Sequence, residues 1–419
     1  MVETPAKGDK DAVKLFPIPQ VFSRRGTSNR WLCWLGHDVA GEVGRVTDRI
    51  EHRVLYRDAR FYASFPSVAT RADGSSLLAF RRARDHRWLL GSGVDHVDHL
   101  DSRSQTVLLT LDHDGMPVGE PVGLPPDPQA ADQDASLLVL RDGRILLAGF
   151  CWYPVPAAVG VALGAAGIGL TSSPQKTGDL YLFWGGYTRH SDDGGRSWSP
   201  HAFLPALPDH PDILPGQRPF HGGAVRGRAV ETADGTILLT GYTHHPTGGA
   251  YASHLFASTD RGESWERRAV IAHDPEGKAG FCETALYLDG RGVLTAFHRT
   301  TGLDDHLATS RSDDQGHSWQ PWRRHAVIGH PYDPCPLPDG RLLLCGGYRH
   351  KPYGLRARVY DPLTQSPDDA PEILLRDDGP SPDLGYPWAT VLPDGRALVC
   401  AYIANADGRR GIEASLFRA

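Results

Sequence analysis

A set of charged and aromatic residues recurs at one distance from a repeated turn. Before the turns stand Ser64, Pro66, Asp132, Asp134, Arg226, Arg228, Glu283, Asp333 and Tyr386; after them stand Arg84, Trp152, His244, Arg299 and Arg349. Carboxylates can carry protons, guanidinium groups can hold an anion, and a phenol beside a carboxylate can become a nucleophile. For any one of these residues solvent is an equally good explanation, because strand ends are polar where water is present. The whole set, on strands that are otherwise apolar, points to a site.

The turns themselves are Asp-Gly pairs between apolar runs: Asp73-Gly74, Asp142-Gly143, Asp234-Gly235, Asp289-Gly290, Asp339-Gly340 and Asp394-Gly395. Such a pair signals a hairpin, because glycine tolerates positive φ. No helix-length apolar period separates the runs. The last three intervals are 55, 50 and 55 residues, while the first two, 69 and 92, need insertions, for which 157–176 and 204–219 are the candidates. Repeats of this size with several strands each predict an all-β chain, a six-bladed β-propeller. Residues six to nine before a turn then lie near one rim, and those about ten after it return there, because hairpin arms are similar in length.

A second repeat, S-x-D-x-G-x-x-W, occupies 191–198, 258–265 and 312–319, with a degenerate copy at 110–115. Its Ser and Asp bond backbone groups inside a turn, its Gly takes a positive φ, and its Trp plugs the blade edge. These aspartates are read as structural. Calcium of the EF-hand type is not indicated, since that spacing is absent.

With these Asp-boxes on six predicted blades, the chain resembles the sialidase superfamily over roughly residues 56–419. The resemblance implies a retaining exo-glycosidase acting on a terminal acidic sugar. It makes Tyr386, in Asp383-Leu384-Gly385-Tyr386-Pro387, the nucleophile and Glu283 its base, with Arg299 and Arg349 holding the substrate's anionic group. A core aromatic capping the channel is the plain alternative for Tyr386. The remaining rim residues Arg84, Asp134, Trp152 and His244 are read as substrate-binding. The resemblance puts the acid/base on the loop after the first hairpin; counting back from the degenerate Asp-box favours Asp101, followed by Asp85 and Asp98. His96 and His99 on that loop have irregular spacing for zinc and read as solvated.

One departure stands out. Sialidases carry Arg-Ile-Pro at the start of the first hairpin, and this chain has Ser64-Phe65-Pro66. Serine cannot make the bidentate contact of an arginine with a carboxylate. Arg60, Arg82, Arg84, Arg226 and Arg228 are the candidates to replace it. The loss favours a second reading, a propeller hydrolase or lyase acting on an arabinose-type or uronic-acid-containing glycan. A third reading is a non-catalytic glycan-binding propeller, which has no need of a base beside a tyrosine.

Composition adds bounds. The chain has 419 residues, 40% of them hydrophobic, and a net charge of −6, which argues mildly against nucleic acid. Its six cysteines contain no C-x-x-C and several lie in apolar runs, so buried free thiols are expected. The first 14 residues lack an apolar signal core, and the most apolar segment, 157–170, is too short to span a membrane. The expectation is a cytoplasmic protein with no cofactor and no metal, whose partner is a glycan or glycoconjugate. Residues 1–55, with Trp31, Cys33, Trp34 and Leu35, are expected to form an extension packed on a propeller of residues 56–419.

Overall fold

In a computed structural model of the chain, the described residues are 50–85, 87, 99–166, 168–172, 180–207, 222–244 and 250–419. The predicted N-terminal extension falls, up to residue 49, outside them.

Strand β1 (Glu51–Tyr56) comes first in the chain and belongs to the last blade. Blade 1 is β2 (Phe61–Thr70), β3 (Ser76–Arg84), β4 (Gln105–Leu111) and β5 (Pro117–Gly123). Blade 2 is β6 (Ala131–Val139), β7 (Ile145–Val155), β9 (Leu180–Ser191) and β10 (Ala202–Phe203), with β8 (Thr171–Ser172) paired to β9. Blade 3 is β11 (Val230–Glu231), β12 (Ile237–His244), β13 (Tyr251–Ser258) and β14 (Glu266–Ala272). Blade 4 is β15 (Gly280–Leu288), β16 (Leu294–Thr301), β17 (His306–Ser312) and β18 (Arg323–Ile328). Blade 5 is β19 (Tyr332–Pro336), β20 (Leu342–Tyr348), β21 (Tyr353–Tyr360) and β22 (Ile373–Gly379). Blade 6 is β23 (Gly385–Val391), β24 (Ala397–Ala404), β25 (Arg410–Phe417) and then β1.

All ladders are antiparallel meanders, and the six-bladed β-propeller read from the turns is the observed fold. Closure comes from β1, which pairs with β25 from Glu51↔Leu416 onward. Residues 51–55, placed with the extension on sequence grounds, therefore supply the outer strand of blade 6. The segment 157–170, read as an inserted loop, contains one short helix, α1 (Ala157–Ala165), directly after Pro156. Proline suits a helix start because its missing N–H has no partner there in any case.

The blades stack face to face, so their middle strands are buried on both sides. That is why β24 (ALVCAYIA) is apolar without alternation and buried throughout. The core is a ring of clusters between neighbouring blades. Tyr386, Trp388 and Leu398 of blade 6 pack on Phe65, Leu78 and Val107 of blade 1. Phe297 and Leu307 of blade 4 pack on Leu342 and Leu344 of blade 5. Each such buried side chain contributes about 1.5–3 kcal/mol. Cys151, Cys282, Cys335, Cys345 and Cys400 are buried free thiols, as expected; Cys33 lies outside the described residues.

The Asp-boxes link the third and fourth strands of blades 2, 3 and 4. In 312–319, Ser312 Oγ donates to Asp314 at 2.7 Å, Gly316 N donates to Ser312 Oγ at 2.9 Å, and Trp319 Nε1 donates to Gly316 O at 3.2 Å. Gly316 has φ +82, and a Cβ there would lie 2.2 Å from Leu255 of the preceding blade. The boxes thus join blade to blade, with no part in the rim chemistry.

One turn differs from the sequence reading. The blade 4 hairpin closes with Asp289 N bonded to Val293 O and Gly292 N bonded to Asp289 O. Positive φ falls on Gly292 (φ 85), so the turn pair is Arg291-Gly292 and Asp289-Gly290 opens the loop. Asp289 Oδ1 accepts from the N–H groups of Arg291 and Val293, which fixes the loop.

Candidate active site

Four of the six inner strands carry the same bulge. The ladder is interrupted at Phe65–Pro66, Asp134–Ala135, Glu283–Thr284 and Tyr386–Pro387. The first residue of each is left-handed, with φ 54 at Phe65, 58 at Asp134, 42 at Glu283 and 51 at Tyr386. Bulges re-aim side chains, and strained non-glycine residues gather at functional sites. The spacing is constant. Phe65 precedes Asp73, Asp134 precedes Asp142, Arg226 precedes Asp234, Glu283 precedes Arg291, Pro331 precedes Asp339 and Tyr386 precedes Asp394, each by eight positions. The six residues form one level, one per blade.

At that level the Tyr386 phenol donates to Glu283 Oε1. Arg299, the cross-strand partner of Cys282 on β16, donates from Nη1 to Glu283 Oε2 at 2.6 Å and to the Tyr386 hydroxyl at 2.9 Å. Arg349, directly after β20, donates from Nε to Leu384 O at 3.1 Å and from Nη2 to the Tyr402 hydroxyl at 3.2 Å. Its guanidinium carbon lies 5.5 Å from the centre of the Tyr386 ring. Glu283 is 4% exposed and Tyr386 is 6% exposed.

One buried arginine ties the bulges together. Arg226 donates to the carbonyls of Ala135 (2.9 Å), Pro66 (2.9 Å), Phe65 (3.3 Å) and Tyr386 (3.3 Å). Its guanidinium lies 5.2 Å from the Tyr386 ring centre. Arg228 is spent on Asp333 at 2.8 Å and on Ala389 O. Asp132 accepts from the Tyr187 hydroxyl at 3.0 Å and from Thr106 N at 3.2 Å. Arg226, Arg228, Asp132 and Asp333 are therefore framework.

The other candidates divide. Asp101 faces Arg84, which donates to it from the backbone and from Nε and Nη2, and Arg103 N donates to it as well. Asp85 is paired with Arg87, and Asp98 lies outside the described residues. Trp152 packs edge-on against Phe183 at 5.4 Å within blade 2. His244 ends β12 opposite Tyr251, with its side chain outside the described residues. Ser64 is fully buried, and its cross-strand partner is Arg81. Of the arginines considered as replacements at Ser64, Arg60 pairs with Asp58, Arg82 lies over Phe61, and Arg84, Arg226 and Arg228 are engaged as described. Arg81, not among those candidates, is buried with its guanidinium carbon 6.0 Å from the Phe65 ring.

Sequence reasoning passed over three contributors. Phe65 holds the blade 1 bulge and packs on Tyr386 with ring centres 4.6 Å apart. Its signal was available: Phe65-Pro66 repeats Tyr386-Pro387 at the same distance from the turn. Asp383 accepts from Tyr402 at 2.8 Å and from Tyr62 at 3.1 Å, and pairs with Arg410 at 2.5 Å. Asp305 holds two imidazoles, His330 at 2.7 Å and His350 at 3.0 Å. Burial, with Arg299 nearby, lowers His330 to about 4. Neither Asp383 nor Asp305 has a local sequence signal, because their partners lie on other strands: Asp383 draws on two further strands of blade 6 and on blade 1, and Asp305 on blade 5.

Residues 170–399 match the BNR repeat-like domain. The chain belongs to the BNR repeat-like family. A crystal structure of a protein of unknown function from Dyadobacter fermentans is 33% identical, with a TM-score of 0.78 over 88% of this chain and 98% of that one. The NanB sialidase of Streptococcus pneumoniae is 13% identical, with a TM-score of 0.58 over 87% of this chain and 70% of that one. A Hadza microbial sialidase is 16% identical, with a TM-score of 0.59 over 88% of this chain and 68% of that one. At such identities the two sialidases share the fold. No curated protein matches the chain.

In this BNR repeat-like propeller the electrostatics of the central pair are opposed. Burial and the Glu283 charge push the Tyr386 phenol well above its usual range. Burial also acts to raise Glu283, but the Arg299 charge and bond outweigh it and hold the carboxyl below its usual range. At rest the proton therefore sits on the phenol and the charge on Glu283. Such an arrangement can pass a proton from phenol to carboxylate as the phenol oxygen forms a bond. Among the described residues no group of three or more His, Cys, Asp or Glu could hold a metal ion.

Proposed function

We propose that this protein is a sialidase-like retaining exo-glycosidase that removes a terminal anionic sugar from a glycan or glycoconjugate. The observation that carries the reading is the contact of the Tyr386 phenol with Glu283, both held by Arg299. A free phenol titrates near 10 and is a poor nucleophile at neutral pH. Here Glu283 takes its proton during attack, and Arg299 stabilises the charge that develops on the oxygen. A tyrosine also suits an anionic sugar, since a carboxylate nucleophile would repel the substrate's own charge. Arg299 and Arg349 both lie against Tyr386 and supply attraction for that charge. The two sialidases that share the fold support sialic acid as the first substrate to test.

Ser64 favours a second reading of the substrate. A buried serine stands where a third guanidinium completes the clamp in sialidases, so the alternatives are a uronic acid, whose carboxylate fits a two-arginine clamp, and a neutral arabinose-type sugar, which needs no clamp. Fluorogenic sialosides offered beside aryl uronides and arabinosides separate the two. Sialoside turnover that vanishes in Tyr386→Phe supports the first. Turnover of a neutral sugar alone overturns the anionic reading, and intact glycan binding with no turnover of any probe makes the propeller a binding module.

A further inference from the structure

Asp134 is a carboxyl that the fold leaves without a bond. It occupies the blade 2 bulge, in the register that Glu283 holds in blade 4 and Tyr386 in blade 6. The residue is 2% exposed, and its Oδ1 is buried with no hydrogen-bond partner. Asp132, two positions earlier, is satisfied by Tyr187 and Thr106, so the free carboxyl belongs to the bulge alone. Burying an unbonded carboxyl is costly, and such a cost persists where the group is used. Its position is tied to the reaction centre by Arg226, which bonds Ala135 O and Tyr386 O at once. A single guanidinium spans only a short distance, so the two bulges meet.

The charged groups within reach of the Asp134 carboxyl are Arg226, Arg81, Arg299 and Glu283, with the phenols of Tyr386 and Tyr242. Burial raises Asp134 to about 7, with Arg226 opposing and Glu283 adding. Glu283 is held low by Arg299. Two carboxyls of one site pushed in opposite directions mark an acid and a base. Asp101 lacks this character: burial would raise it, but the bonds from Arg84 outweigh burial and keep it ionised.

We infer that Asp134 is the acid/base residue of this site, an assignment that rests on Tyr386 being the nucleophile. In the first half-reaction Asp134 gives its proton to the glycosidic oxygen. The bond from the anomeric carbon to that oxygen breaks, and its electron pair stays on the oxygen. Tyr386 Oη bonds the anomeric carbon, and the phenol proton passes to Glu283. In the second half-reaction the Asp134 carboxylate takes a proton from water as the water oxygen bonds the anomeric carbon. The bond to Tyr386 breaks, and the phenolate recovers its proton from Glu283. Every group ends as it began.

The test uses aryl glycosides of N-acetylneuraminic acid and of glucuronic acid with leaving phenols of graded acidity. Asp134→Asn is expected to lose roughly 10²- to 10⁴-fold on poor leaving groups and little on dinitrophenyl glycosides. Azide, which needs no base, is expected to restore its second step. Asp101→Asn is expected to show no such dependence. A loss in Asp134→Asn that is equal for all leaving groups and not restored by azide makes Asp134 a binding group. The signature appearing in Asp101→Asn likewise overturns the assignment. Unchanged turnover in Tyr386→Phe is a different result, and removes the nucleophile reading itself. A measurement without substrate guards against a silent variant. The folded carboxyl titrates near 7 and the unfolded one near 3.8, so stability falls as pH rises between them and levels above. Wild-type melting temperature should carry that fall and Asp134→Asn should lack it; parallel profiles overturn the buried acid.

Discussion

The Tyr386 phenol bonds the Glu283 carboxylate from the far side of blade 5, across 103 positions of sequence. The two residues share no ladder. They meet because both sit in left-handed bulges at one level, on inner strands two blades apart around the axis. Arg299 then bridges them from the strand beside Glu283.

Removing the carboxylate tests that bridge. Glu283→Gln is expected to lower turnover by roughly 10²- to 10⁴-fold. It also leaves the Arg299 charge buried and unpaired, at a cost of about 3–5 kcal/mol. Adding Arg299→Gln should recover part of the stability and none of the activity. Denaturant unfolding of the two single variants and the double variant measures the coupling, and strict additivity would show that the pair does not interact.

The pH dependence of stability follows from the same pair. Glu283 is held below its unfolded value of 4.5, so its contribution is present above that value and lost as pH falls through the folded one. Melting temperature should therefore drop on the acid side of 4.5, and more steeply in wild type than in Glu283→Gln.

Arg226 is expected to be the most expensive framework residue at the rim. Arg226→Met strips donors from the carbonyls of Phe65, Pro66, Ala135 and Tyr386. Unsatisfied buried acceptors cost about 1–3 kcal/mol each, so a loss of about 4 kcal/mol or more is expected. Chemical denaturation checks the figure, and a loss below about 1 kcal/mol would mean that the bulges hold themselves.

A hairpin glycine and an Asp-box glycine separate backbone strain from contact. Gly143 has φ +90 and nothing within 4 Å of an added Cβ, whereas Gly316 has φ +82 and Leu255 at 2.2 Å. Gly143→Ala should lose about 1–2 kcal/mol from conformation alone. Gly316→Ala should lose more, because it also drives apart two blades. Equal losses in thermal or urea unfolding would assign the whole effect to φ.

Much of the fold was legible because propeller turns are local chemistry. Ser312, Asp314 and Gly316 bond one another within four positions, so an eight-residue pattern suffices to find them. The central pair was legible for a related reason: distance from a turn encodes height on a strand. The rule was blurred at Asp289-Gly290, where two Gly-containing dipeptides compete and only the observed hydrogen bonds select Gly292. Counted from Gly292, Glu283 falls on the same spacing as Tyr386.

The sequence by itself determined the hairpins, the Asp-boxes, the number of blades and the level at which Glu283, Arg299, Arg349 and Tyr386 stand. Those follow from residue types that act on their own neighbours in the chain. Tertiary structure alone decided that Arg226 binds three bulges, that β1 closes the ring, and that Asp101 is ionised against Arg84 while Asp134 is left unbonded. The protonation of a carboxyl depends on what is buried with it: Asp101 meets Arg84 of its own blade, whereas the companions of Asp134 arrive from other blades.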